Sequence, residues 1–414
     1  MYTKTEIFRD IVNIMSEDYA GFLEKRHVNH PENYSIRDDM DDDDFVETVG
    51  SYLLDFKDGH LSFSKKSSSK PFKGFKVRRY LNALYVTEVD GENRLKVGDR
   101  IVALDGRSIE EFGKEHYKIL KDDNPERQDW NYALTRVNSI KYQRDNQMYE
   151  IDLKNFPKTP YSPEYSFKQL DPQTNYIKIT DFTQQGPILK IVEENDKALN
   201  EAKNLIIDVR VNLGGSDLSY LPLLDYIFDN PIKFSALFEK DEISYINYTE
   251  NNCKLWIANA RKYMQQPLYE EAKQWIEQEI EKFQQNNGKG LLPVREVYDY
   301  VIQGRENPKN VYILSDVMCG SSGDTFVKHV KKSPKVTVVG RATMGILDYS
   351  NVVTKDYGEY VFGYATSKMH ENYHCNETGV LPHIHVPWTP EHLKRDVDLD
   401  YVLELCKKMS VNMK

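Results

Sequence analysis

Two adjacent serines, Ser321 and Ser322, stand in the run Met318-Cys319-Gly320-Ser321-Ser322-Gly323-Asp324. Val311 to Ser315 before them is a short apolar, β-branched run that predicts a strand. Asp316 to Gly320 reads as a turn. Phe326, Val327 and Val330 repeat at helical spacing, with Lys331 and Lys332 in the last turn and Pro334 just beyond. Val336 to Gly340 reads as strand again. The serines therefore open a helix, where unpaired N–H groups and the positive end of the helix dipole collect. A serine so placed can attack a carbonyl while neighbouring N–H groups hold the oxyanion. The plainer role for such a serine is an N-cap.

Two other short stretches could serve the same chemistry. Asn204 to Val209 is a continuous apolar run of the kind buried in parallel sheets. It leads into Arg210-Val211-Asn212-Leu213-Gly214-Gly215-Ser216. A glycine pair after a buried strand lets backbone N–H groups approach a ligand, or simply makes a tight turn. His60 follows Asp58-Gly59 and precedes the alternating Leu61-Ser62-Phe63. An Asp-Gly turn puts it at the rim between a helix and a strand, where a histidine is either a base or an ordinary surface residue.

The elements that must position these groups can be read along the chain. Residues 1–66 are expected to be helical, with Ile7, Ile11 and Ile14 on one face and Phe45, Val49 and Leu53 on another. The six aspartates between Asp38 and Asp44 lack the spacing of a calcium loop and read as an acid-rich helix start. Ser67 to Pro71 is a linker. A second unit spans 72–157, with strands at Gly74 to Val77, Ala83 to Val89 and Arg100 to Leu104, a helix capped by Ser108, and a hairpin from Asn138 to Gln143 and Met148 to Leu153. Pro157 to Pro163 is a second linker. The remainder, 164–414, is one core. It contains a strand at Asn175 to Thr180, an amphipathic helix at Ile188 to Ala202, and a helix after Gly215 to about Asn230. Strands follow at Tyr349 to Thr354 and Glu359 to Tyr364, and a helix closes the chain at Leu399 to Met409. A helical insert at about 231–300 holds helices Asn251 to Met264 and Leu268 to Gln285, the second striped by Ala272, Ile276, Ile280 and Phe283. Gly288 and Gly290 are expected to stop it, and it is a candidate lid.

The chain has 414 residues, more than one ordinary core holds. Its hydrophobic content of 40% and charged content of 29% fit a globular protein. A net charge of −10 argues against nucleic acid or an anionic membrane as main partner. The four cysteines (Cys253, Cys319, Cys375 and Cys406) show no disulfide or metal spacing. With no signal peptide or spanning segment read from the sequence, a cytoplasmic protein is expected. Cys319, two residues from Ser321, is a rival thiol nucleophile without a motif of its own. His370, His374, Cys375, His383 and His385 crowd one segment and raise a metal-site reading, set against plain loop histidines.

Taken together, the stretches DGHLSF, LIIDVRVNLGG, MCGSSGDTF and ETGVLPHIHV, in this order, resemble the C-terminal-processing (tail-specific) serine peptidases, with the tricorn-like and retinoid-binding-protein-like branch nearest. The piece LKVGDRIVALDGRSIEEF, Leu95 to Phe112, resembles the "L-x-x-G-D-x-I-x-x-(I/V)-(N/D)-G" stretch of PDZ domains. The resemblance implies an α+β / α/β multidomain chain: a helical N-terminal region, a PDZ-like β domain, and a crotonase-like α/β catalytic core with the helical insert. It makes Ser321 the nucleophile and Asp324 the stand-in for a family glutamate. Gly214 or Gly215 and Ser322 would form the oxyanion hole. One branch of the family draws its base from a lysine in a "T-F-G-K-G" stretch; here that position is Ile346. The other branch uses a histidine from the N-terminal part, which His60 matches. An acidic residue should orient that imidazole; the family places it near Glu377, one position later than expected, with Asn376 as the other candidate. The implied activity is serine endopeptidase action on peptides or unstructured protein tails. No cofactor, nucleic acid or membrane is implied, and a homo-oligomer stays open. The readings that compete are a catalytically inactive PDZ-containing peptide-binding protein and a metal-dependent hydrolase.

Overall fold

The computed structural model describes residues 2–66, 72–239, 242–268, 270–295, 300–370 and 374–411, without the side chains of Glu271, Glu377 and 409–411. The first linker, Ser67 to Pro71, lies outside them. The chain divides into two compact units, one of residues 1–63, 163–386 and 402–414, the other of residues 64–162 and 387–401.

The larger unit is built on a six-stranded sheet. Its order is Ile384–His385, Val336–Gly340, Asn310–Ser315, Asn204–Asp208, Thr174–Ile179 and Tyr165–Asp171. Every neighbouring pair is parallel except the last. All five residues of Asn204–Asp208 are buried, as its unbroken apolar run requires of a strand covered on both faces. Asp208 stands opposite Leu314 in register, so the loops leaving these two central strands emerge side by side. Such crevices at the carboxyl ends of parallel strands are where open α/β sheets place their ligands.

The N-terminal helices belong to this unit. Lys4–Glu17 carries a capping box between Thr3 and Glu6. Asp41 caps Asp42–Leu54 by accepting the Asp44 N–H at 2.8 Å, with Asp42, Asp43 and Asp44 in the first turn. The aspartate run is thus used at a helix start, where acids complement the dipole. The buried faces of both helices pack in one apolar cluster with Tyr349, Val353, Tyr360, Phe362 and Tyr364, from strands Tyr349–Asp356 and Tyr360–Met369.

The insert departs from its expected form. Its helices are Glu250–Tyr263 and Glu270–Gln285, but it also contributes strands Ser244–Tyr248 and Gly290–Val294. These extend the sheet that contains Tyr360–Met369. Gly290 therefore begins a strand, and Pro293 is tolerated because that strand is an edge. Ala260, Ala272 and Ile276 are buried in the main core. Asn252 Nδ2 donates to the carbonyls of Asp18 and Asn247 at 2.7 and 2.8 Å. These contacts make the insert an integral layer. The expected helix from Ile188 to Ala202 is two pieces, Gln185–Glu194 and Asp196–Glu201. The break falls at Asn195, whose side chain donates to the Ile191 carbonyl at 2.8 Å and competes with the backbone ladder. After Gly215 a 3-10 turn, Asp217–Tyr220, precedes a short helix, Leu221–Ile227.

The smaller unit is an antiparallel sheet in the order Phe75–Tyr80, Ala83–Val89, Arg100–Leu104, Ser139–Arg144 and Gln147–Asp152, with short helices including Ile109–Glu115 and Trp130–Leu134. Residues 387–401, expected in the core, group with this unit instead. Trp388 explains it: the ring is buried under the Arg78 guanidinium at 5.3 Å and beside Tyr80 and Tyr85. The outer edge of Phe75–Tyr80 is partly occupied from within. Asn131 Oδ1 accepts the Val77 N–H at 2.8 Å, and its Nδ2 donates to the Val77 carbonyl at 3.1 Å.

His329 lies on the helix Ser322–Val330, fully enclosed, with its ring against Phe234 and Phe238 and Nδ1 3.1 Å from the Tyr220 hydroxyl. Burial, helped by the neighbouring lysines Lys328 and Lys332, pushes its imidazole down to about 3. The unfolded chain binds that proton near pH 6.5, so the neutral ring favours the fold above that pH. The contribution is lost as pH falls below 6.5. We expect about 1.4 kcal/mol of stability lost from this site per pH unit between pH 6.5 and 4. Urea unfolding at pH 7 and pH 5 checks it: His329→Phe should narrow the difference between the two midpoints.

Candidate active site

Ser321 occupies the sharp turn between strand Asn310–Ser315 and helix Ser322–Val330, at φ 56° and ψ −122°. A non-glycine residue is rarely found there, and holding it costs about 1–3 kcal/mol. This strand–turn–helix elbow is the geometry that exposes a nucleophilic serine above a parallel sheet. The conformation persists because its surroundings over-determine it. Asp324 accepts the Ser321 N–H at 2.8 Å, and the Thr325 N–H bonds to the Ser321 carbonyl at 3.0 Å. The Gly320 N–H bonds to the Asn212 carbonyl at 2.9 Å on the neighbouring loop.

Asp324 is buried and does more than cap. Its carboxylate also accepts the N–H groups of Gly345 and Ile346, at 2.8 and 3.1 Å. Burial raises its carboxyl above the ordinary aspartate range, and the donors Thr343, Gly345, Ile346 and Ser321 pull it back in part.

The loop after Asn204–Asp208 is fixed from both ends. Asp208 takes the Arg210 guanidinium, at 3.0 and 2.6 Å, and the Tyr176 hydroxyl at 2.6 Å. Asn212, fully buried, donates to the Ile179 carbonyl at 3.2 Å and accepts the Gly214 N–H at 3.0 Å. This corrects one expectation: the Gly214 N–H is already engaged. Gly214 contributes its missing side chain, since a Cβ there would stand 2.7 Å from Ser321 Cβ and 3.3 Å from Ser321 Oγ. Among the described residues neither the Gly215 N–H nor the Ser322 N–H has an acceptor. The Ser322 hydroxyl donates to the Gly215 carbonyl at 3.0 Å and clasps the two loops together.

His60 arrives from the N-terminal region. Phe56 and Phe63, both buried, anchor its turn on either side. Nε2 stands 3.4 Å from Ser321 Oγ, across 261 residues of sequence. The imidazole side chain is 10% exposed. Ile346, at the alternative lysine position, packs against this turn: a Cβ on Gly59 would lie 2.7 Å from Ile346 Cγ2. The structure thus brings together Ser321, His60, Gly214, Gly215 and Ser322.

The other sequence candidates fall elsewhere. Cys319 is fully buried within the core, and burial, with Asp324, Asp316 and Asp208 nearby, raises its thiol well above the ordinary range. That keeps it protonated and out of reach, so it is no nucleophile. His383 Nδ1 accepts the Val338 N–H at 2.9 Å. Among the described residues no three His, Cys, Asp or Glu side chains converge to hold a metal ion. Asn376 pairs with Asp348: its Oδ1 accepts the Asp348 N–H, and its own N–H bonds to Asp348 Oδ1, both at 3.1 Å. The Glu377 side chain lies outside the described residues. One acid near His60 was missed from sequence: Asp58, whose Oδ1 accepts the His60 N–H at 2.9 Å and lies 3.6 Å from His60 Nδ1. The signal was in plain view, two residues before the histidine, but there it reads as a turn former.

The family model for peptidase family S41 matches residues 173–386, more than half of the chain. The chain belongs to peptidase family S41. Members are serine proteases, and the chain is a serine peptidase acting on peptide or protein substrates. Its fold is similar to that of mature CPAF, solved in complex with lactacystin, with a TM-score of 0.67 and 12% identity over 99% of this chain and 98% of that one. A Parabacteroides merdae protein assigned as a peptidase is similar at a TM-score of 0.51 and 16% identity, over 98% and 97%. At these identities the likeness is one of fold. No curated protein matches the sequence at a significant level.

The close approach of Gly214 to Ser321 is directly testable. Gly214→Ala places a methyl group against Ser321 at a backbone φ of +80°. We expect kcat to fall about 10²–10³-fold while circular dichroism shows a folded protein.

Proposed function

We propose that this S41 peptidase is a serine endopeptidase working through Ser321 and His60. The observation that carries the reading is the 3.4 Å approach of His60 Nε2 to a Ser321 Oγ held at a strained elbow. A catalytic hydrogen bond is commonly long without substrate and tightens in the complex.

Ser321 Oγ attacks the scissile carbonyl carbon as His60 Nε2 takes its proton. The developing oxyanion accepts hydrogen bonds from the Ser322 and Gly215 N–H groups, aided by the N-terminus of helix Ser322–Val330. His60 then returns the proton to the leaving amine. Water, deprotonated by the same imidazole, releases the acyl group and restores Ser321. No step calls on a metal or cofactor.

The substrate class we infer is an extended peptide or an unstructured protein tail, in line with the tail-specific, tricorn-like and retinoid-binding-protein-like sequence resemblance. The same resemblance supports a crotonase-like core and a PDZ-like smaller unit. A cytoplasmic location accords with four free cysteines; among the described residues no helix is long and apolar enough to cross a membrane. The rival reading, an inactive PDZ-type peptide binder, is weakened at the edge such a module would use. Strand addition needs free backbone groups, and at Val77 both are paired with Asn131.

Incubation with unfolded casein tests the assignment. We expect Ser321→Ala and His60→Ala each to lower cleavage by at least about 10³-fold, with no effect of a chelator on the parent enzyme. Cleavage that survives both substitutions, or that only the chelator removes, would overturn it.

A further inference from the structure

The acid that positions the base need not come from the C-terminal segment. Asp58 is fully buried at its side chain and lies within the same turn as His60. Its Oδ1 holds the His60 backbone N–H at 2.9 Å and stands 3.6 Å from the ring Nδ1. His60 Nδ1, Asp58 Oδ2 and the Tyr19 hydroxyl are all buried and lack a formed hydrogen bond. Unpaired buried polar atoms are costly, and these three belong to side chains that face one another. Tyr19 is fully enclosed, and Asp58 is the first charge acting on its phenol. Tyr349 and Glu24 lie behind Tyr19, and Ser321 faces the ring from the opposite side.

We propose that Asp58 is the positioning carboxylate of His60, steadied by Tyr19, so that one Asp-Gly-His turn supplies both the base and the acid that orients it. The inference rests on the Ser321–His60 reading above. Asp58 Oδ1 accepts a hydrogen bond from Nδ1–H once the 3.6 Å gap closes around substrate. That fixes the tautomer with Nε2 unprotonated toward Ser321 and stabilises the imidazolium formed during attack. The Tyr19 hydroxyl donates to the other oxygen of the carboxylate. Gly59 between the two residues makes the arrangement compact enough for Ile346 to press on the turn.

A purely structural Asp58 would only shape the turn, and Asp58→Asn separates the two roles. The amide oxygen can take the Oδ1 position and still accept the His60 N–H and Nδ1–H, so the turn is kept, but the negative charge that stabilises the imidazolium is lost. We expect kcat to fall about 10²-fold or more, with KM changed only a few-fold. The acid limb of the kcat/KM profile should also be displaced. Independently of turnover, ¹⁵N shifts of the His60 ring, assigned by their loss in His60→Gln, should show the proton on Nδ1 in the parent and the loss of that preference in Asp58→Ala, which removes the acceptor. Tyr19→Phe should lower kcat about tenfold at constant KM. The inference is overturned if Asp58→Asn leaves kcat unchanged, if Asp58→Ala keeps the Nδ1–H tautomer, or if Glu377→Gln, and not Asp58→Ala, changes it. Should Asp58→Asn fail to fold, an unchanged kcat in Tyr19→Phe overturns it as well. A parent enzyme without Ser321-dependent cleavage would remove the serine–histidine mechanism, while the tautomer comparison would still decide whether Asp58 orients His60.

Discussion

The carboxylate of Asp324 is the tie on which the site depends. One buried side chain collects N–H groups from Ser321, Gly345 and Ile346. The first bond holds the Ser321 backbone in a region that L-residues avoid. The other two hold the loop after strand Val336–Gly340. Ile346, fixed in this way, presses on Gly59, and Gly59 separates Asp58 from His60. Ser321, its supporting loop and the turn that carries His60 are thus referred to one carboxylate. The low-dielectric surroundings that make an unpaired charge there costly also make each of its hydrogen bonds strong.

The second constraint is the parallel pairing of Asn204–Asp208 with Asn310–Ser315. Because the strands run the same way in matched register, their C-terminal loops leave together. The cross-links between those loops, from Gly320 to Asn212 and from Ser322 to Gly215, are then short. Asn212 spends its amide on both sides of this junction, and that fixes which glycine N–H groups remain open. Gly214 serves by what it lacks, letting a second loop approach the serine without a side chain between them.

His60 is carried by a segment remote in sequence from Ser321. The helices before His60 supply no groups to the chemistry, yet their apolar faces join strands Tyr349–Asp356 and Tyr360–Met369 in one cluster with Phe56 and Phe63. Burial of such side chains contributes about 1.5–3 kcal/mol each, which is ample to hold a three-residue turn. The insert belongs to the same scheme, since strand Ser244–Tyr248 pairs with Tyr360–Met369.

Much of this was legible in the sequence because it is local. The unbroken run NLIIDV makes a buried strand wherever it is placed, and the helix after Ser322 is written in the spacing of Phe326, Val327 and Val330. The acid-rich start of the second helix follows from dipole and capping alone. The order of the short motifs singled out Ser321 and His60, which stand 3.4 Å apart in the fold. Other features were decided only in three dimensions. Strands Ser244–Tyr248 and Gly290–Val294 have no meaning until a partner strand completes their hydrogen bonds, and Pro293 argued against one of them. Trp388 left the core for the smaller unit because Arg78, Tyr80 and Tyr85 meet it there. The engagement of the Gly214 N–H depends on where the Asn212 side chain turns. The nearness of Asp58 to the ring of His60 depends on the packing that closes its turn. Covalent neighbours, periodicity and caps act within a few residues, so sequence alone determines them. Which donors stay free, and which side chains meet His60, depend on contacts between distant segments, and those exist only in the folded chain.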